Sequence, residues 1–156
     1  MKTILAAVVG AATLAVAAPA LAQDISAEPN YGDITLSPGF TPDPHLVSLR
    51  AGGNINADDI NGANCSGYIT SAPDFRLNWS GKGSLDLILS VVSNSDTTLV
   101  VNGPRGEWYC DDDSGDETNP TLTLRSAAGQ YDIWIGTFSS GDTKPAVLSI
   151  SEVSSF

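Results

Sequence analysis

The sequence is poor in positive charge, in histidine and in sulfur. Seven Lys and Arg stand against eighteen Asp and Glu in 156 residues, a formal net charge of −11. Lys2 belongs to the leader described below. The remaining basic residues, Arg50, Arg76, Lys82, Arg105, Arg125 and Lys144, are scattered along the chain. Such a chain has little with which to neutralise phosphates, which argues against a nucleic-acid partner. The same charge favours solubility and attracts cations. There is one His and no CxxC spacing, so a zinc site lacks its ligands. Beyond the leader, no window carries a sustained apolar stripe of helical period, and none is apolar enough to span a membrane.

What is present begins with export. Lys2 precedes an apolar run from Ile4 to Ala18, and Ala20 and Ala22 give the A-x-A pattern of a signal-peptidase site before Gln23. A basic start, a short apolar centre and small residues at the cut predict a signal peptide over 1–22. Cleavage leaves no membrane span and sends the product to the periplasm or outside the cell. No lipobox cysteine follows the cut. The two cysteines, Cys65 and Cys110, lie 45 residues apart. In an oxidising compartment an even count predicts a disulfide. Two free thiols or a pair of metal ligands are the alternatives.

Residues 23–44 are rich in Pro and acidic residues and read as an extended N-terminal segment, with one strand at Tyr31–Leu36. Residues 45–156 read as one β domain. Short β-branched and aromatic runs alternate there with Gly, Asn, Asp and Ser clusters about every ten residues, the rhythm of a sandwich or barrel. Asp74–Ser80 places Phe75, Leu77 and Trp79 on one face, and period-two alternation marks a half-buried strand. Ser84–Val92 repeats the pattern with Leu85, Leu87, Leu89 and Val91 inward, and Ile88 and Val92 opposite suggest a central strand. Leu46–Leu49, Thr97–Val101, Trp108–Cys110, Thr121–Leu124, Tyr131–Phe138 and Ala146–Glu152 complete the set, and Ala57–Ile60 after Asn56 fits a single helical turn. The expected fold is all-β: an antiparallel sandwich, jelly-roll-like, of about seven to nine short strands. Leu46, Phe75, Leu77, Trp79, Leu85, Leu87, Leu89, Tyr131, Ile133, Ile135, Leu148 and Ile150 are among its core residues.

Several segments together carry a resemblance. They are Ala51-Gly52-Gly53-Asn54, Cys65 to Ile69, Ala72 to Leu77, Asp96 to Pro104, Trp108 to Gly115, and Gly129 to Gly136. The set resembles small exported bacterial proteins related to the pre-peptidase C-terminal (PPC) domain, over roughly residues 45–152. That resemblance implies a β-sandwich, in a family often appended to secreted proteases, some members of which bind calcium or an extracellular polymer. No protease domain is expected within these 156 residues.

Chemistry concentrates at Asp111-Asp112-Asp113-Ser114-Gly115-Asp116-Glu117. Calcium takes six to eight oxygens in flexible geometry. Asp111, Asp113 and Asp116, with the Asn119 carbonyl, are the candidate Ca2+ ligands; Asp58 and Asp59 form a second acidic pair. The EF-hand spacing is not matched, and a solvated acidic hairpin is the competing reading. Asp113-Ser114-Gly115 also resembles the nucleophile motif of trypsin-like serine proteases. Its flanks, Asp112 and Asp116, replace the outer glycines, and His45 within Pro42-Asp43-Pro44-His45 is the only base on offer, so a peptidase at Ser114 is disfavoured. Among the aromatics, Trp134 is out of phase with Ile133 and Ile135 and is a candidate platform for sugar rings; Trp79, Trp108 and Tyr109 read as packing residues. The expected function is thus a non-catalytic exported binding or structural domain, with calcium, a cell-surface polymer or another exported protein as partner. A carbohydrate- or matrix-binding module is the alternative.

Overall fold

The computed structural model describes residues 23–60 and 63–155. The signal peptide expected over 1–22 lies outside the described residues. Eleven strands form among the described residues: β1 (Asp33–Leu36), β2 (His45–Gly52), β3 (Ile55–Asn56), β4 (Tyr68–Ile69), β5 (Phe75–Trp79), β6 (Leu87–Val92), β7 (Thr97–Asn102), β8 (Trp108–Asp111), β9 (Thr121–Leu124), β10 (Gly129–Thr137) and β11 (Thr143–Ser151). One sheet runs β1-β5-β10-β4-β3, with β7 also paired to β10 and β8 to β7; the other runs β2-β11-β6-β9. All pairings are antiparallel except β1 with β5. The fold is an all-β sandwich, as expected. The count exceeds nine because β3 and β4 are two-residue strands with no alternation to announce them.

The core lies between the sheets. Phe75, Leu77, Trp79, Leu99, Val101, Tyr131, Ile133 and Ile135 come from one layer, and Leu49, Leu87, Leu89, Val91, Leu124, Leu148 and Ile150 from the other. The alternation of β5 is as read: its three apolar residues are buried and Arg76 and Asn78 are not. Two expected core residues are not in it. Leu46 is 53% exposed, because the inward phase of β2 runs through Val47, Leu49 and Ala51. Leu85 is 52% exposed, because β6 starts at Leu87 and residues 84–86 belong to the preceding connection.

A second apolar cluster covers the outer face of the larger sheet. Ala57, Ile60, Cys65, Ile69, Val100 and Trp134 are buried there, with Trp108 and Cys110 against them. Residues 57–60 and 63–67, between β3 and β4, supply this layer. It begins with a 3-10 turn over Ala57–Asp59, where Asn56 accepts from the Asp58 amide. The disulfide Cys65–Cys110 fastens it to β8, with the two Cα atoms 5.2 Å apart.

The N-terminal segment is strapped along the same sheet. Besides the β1–β5 ladder, Asn30 N donates to Pro73 O and Tyr31 N to Asp74 O, both at 2.8 Å. Arg76 pairs with Asp132 at 2.6 Å and donates to the carbonyls of Ile25 and Ala27. Asp74 is 1% exposed and accepts from Ile135 N at 2.8 Å and Asn30 Nδ2 at 3.0 Å. Burial pushes its carboxyl up to about 6, against the opposing effect of these hydrogen bonds.

Candidate functional site

Two regions carry exposed polar chemistry: the acidic loop after β8, and a cleft whose walls are the connections before β6 and after β9.

The acidic loop is built on Asp111, the last residue of β8. One of its carboxylate oxygens accepts from Ser114 N at 3.1 Å and from Thr121 N at 2.8 Å, and the other accepts from the Ser114 hydroxyl. The first oxygen therefore ties the loop to β9 through Thr121, and the second holds Ser114 within the loop. Gly115 N donates to Asn119 O at 2.8 Å, and a Cβ on Gly115 would lie 2.6 Å from that oxygen, so glycine is required by the close approach. Asn119 is buried: its Oδ1 accepts from Thr97 Oγ1 at 2.9 Å and its Nδ2 donates to Ser93 O at 2.9 Å. Of the expected calcium ligands, Asp113 and Asp116 are exposed, whereas the oxygens of Asp111 and the side-chain carbonyl of Asn119 already accept hydrogen bonds within the fold. Among the described residues no group of three His, Cys, Asp or Glu is arranged to hold a metal ion. The structure adds Asp96, from the turn before β7. Burial raises its pKa, and the charges of Asp113 and Asp112 raise it further, so carboxylates from two separate turns share one end of the sandwich.

Ser114 and His45 serve different parts of the fold. The Ser114 hydroxyl donates to Asp111. His45 opens β2 in the opposite sheet, pairs across from Ile150 and stacks on Phe75, ring centroids 6.4 Å apart and inclined at 30°.

Trp134 is not a surface platform. It is 0% exposed, its indole nitrogen faces Ser71 O at 3.4 Å, and its ring lies 5.4 Å from that of Trp108. It does point away from the main core, as its phase along β10 predicts. The β3–β4 segment covers that face, a tertiary fact that alternation along β10 does not contain.

The cleft is a cavity of about 650 Å³ lined by residues 82–86, Arg105, Tyr109 and residues 125–128. Three of the six basic residues after position 22 line it: Lys82, Arg105 and Arg125. They lie in three separate connections, so their gathering had no linear signal. The walls are tied together. Ser126 Oγ donates to Leu85 O at 3.0 Å, and the Tyr131 hydroxyl both donates to Ala127 O and accepts from Ala127 N, each at 3.0 Å. Tyr109 donates to Glu107 Oε1 at 3.1 Å, and Arg105 pairs with the same carboxylate at 3.2 Å. A hydrogen bond from its own backbone, and then those from Tyr109 and Arg105, hold the Glu107 carboxyl below its usual range.

No protein-family model matches the chain. No curated protein matches it significantly. Among solved structures, PliG from Aeromonas hydrophila, a periplasmic inhibitor of g-type lysozyme, is similar over 76% of this chain and 96% of that one, at 16% identity and a TM-score of 0.38. Likeness of that size leaves the function to be argued from this chain's own residues. Among the described residues, no helix is long and apolar enough to cross a membrane.

Proposed function

We propose that the chain is an exported, non-catalytic binding domain. The observation that carries this reading is the commitment of Ser114. An attacking serine passes its proton to a base, and a third group orients that base. The Ser114 hydroxyl instead donates to a carboxylate whose other oxygen holds two backbone amides, which is the bonding of a loop staple. The one imidazole stacks on Phe75. Export is supported by the leader composition and by the Cys65–Cys110 cross-link, which persists in oxidising compartments. Another exported protein or a cell-surface polymer is the partner class, and a relation to PPC-type domains belongs to the same proposal.

A fluorophosphonate probe tests the catalytic part. The mature protein is expected to remain unlabelled; labelling that disappears in Ser114→Ala overturns the reading.

Calcium is a second reading, favoured by the hydrogen bonds that tie the two carboxylate-bearing turns together, Thr97 N to Thr118 O and Asn119 Nδ2 to Ser93 O, and by the repulsion of Asp96 by Asp113 and Asp112. A divalent cation among these carboxylates would relieve their repulsion. Its signature is a saturable rise in melting temperature with calcium that vanishes in Asp112→Asn/Asp113→Asn. A melting temperature indifferent to calcium removes it.

A further inference from the structure

Acidic side chains outnumber basic ones by more than two to one in this chain, so a surface cation has many carboxylates to choose from. Four of the six basic residues after the leader do find partners. Arg76 pairs with Asp132, Arg105 with Glu107 and Lys144 with Asp142, while Arg50 donates to the carbonyl and hydroxyl of Thr143. Lys82 and Arg125 make no hydrogen bond or ion pair among the described residues. Both line the same cavity, where Asp86 is the single acidic lining residue. Leu85, half exposed, and the Tyr109 ring supply apolar wall to the same cavity.

We propose that this cleft binds a small organic oxyanion, a carboxylate or phosphate monoester attached to an apolar body. Its size falls within the range of small-molecule sites, about 300–1,000 Å³. Guanidinium offers a planar fork to either oxyanion and ammonium a point charge beside it. The hydrogen bonds from Ser126 to Leu85 and between Tyr131 and Ala127 hold the two walls in place before any ligand arrives, which lowers the ordering cost of binding. The proposal is independent of whether Ser114 is inert and of whether the acidic loop takes calcium.

The test is a titration of the 15N-labelled mature protein with phenylacetate, with phenyl phosphate and with neutral phenylacetamide, followed by amide chemical shifts. Saturable shifts confined to residues 82–86, 105–109 and 125–128, from at least one anion and not from the amide, are expected. The tighter anion identifies which oxyanion the cleft prefers. Lys82→Ala and Arg125→Ala, both at exposed positions, are each expected to weaken binding about tenfold or more, the loss of a charge-assisted hydrogen bond. Arg50→Ala, on β2 outside the cleft, is expected to leave it unchanged. Equal binding of phenylacetamide, insensitivity to both cleft variants, an equal loss in Arg50→Ala, or no saturable shift with either anion up to about 10 mM overturns the proposal.

Discussion

Asp74 makes the stability of this protein depend on pH in a sense opposite to that of a paired surface carboxylate. Its carboxyl lies under the N-terminal strap, and burial raises its pKa from 3.8 to about 6. The hydrogen bonds from Ile135 N and Asn30 Nδ2 favour the charged form but do not offset the loss of water. The folded state therefore holds a proton that the unfolded chain releases in the window between those two values. By linkage this contribution to stability is fully present below about pH 4 and is lost as pH rises through about 6. The gap of about two pH units corresponds to about 3 kcal/mol. Asp74→Asn removes the titration while keeping one acceptor oxygen for Ile135 N. The assay is urea unfolding of both proteins between about pH 4 and pH 7.5, scored as the stability of Asp74→Asn minus that of the wild type. Taking the difference cancels the other carboxylates. It is expected to grow by about 3 kcal/mol as pH rises across the window. A difference that is flat, or that shrinks with pH, refutes the reasoning. If the variant folds poorly, the carbon-13 shift of the Asp74 carboxyl in the wild type gives the same answer, and a midpoint below 4 refutes it.

Trp134→Ala is expected to cost about 3–5 kcal/mol, the range for a large aromatic removed from a packed interior, read by urea or thermal melts; a change within about 0.5 kcal/mol would mean that the ring is not buried. Replacing Cys65 and Cys110 together by Ser opens a 45-residue loop, and the chain-entropy relation gives a loss of about 4 kcal/mol. Wild-type protein under strong reductant is expected to melt as the double variant does, and unchanged melting in either case contradicts the stapling role of the bridge.

The strand rhythm was legible because a half-buried strand writes its period into the sequence. Phe75, Leu77 and Trp79, or Leu87, Leu89 and Val91, needed no partner strand to declare a common face. Leu46 and Leu85 are apolar yet exposed, because the strand's phase or its start, and not apolarity, decides the outcome. The loop chemistry was half legible. Asp111-Asp112-Asp113 announced a carboxylate cluster, but composition does not reveal that Asp111 spends both oxygens on Ser114 and Thr121. Nor does it reveal that Asp96, fifteen residues upstream of Asp111, comes to the same end.

Local pattern sufficed for the layered all-β architecture and the excess of negative charge, because side-chain alternation and charge are local properties of the chain. The even cysteine count made the pairing of Cys65 with Cys110 the leading expectation. Tertiary structure alone decided what covers each face and which distant turns meet. It buried Trp134 beneath the segment between β3 and β4, withdrew Asp74 from water under the strap, and drew Lys82, Arg105 and Arg125 into one cleft. Burial and charge convergence are sums over residues far apart in the chain, and only the closed sandwich fixes which residues enter each sum.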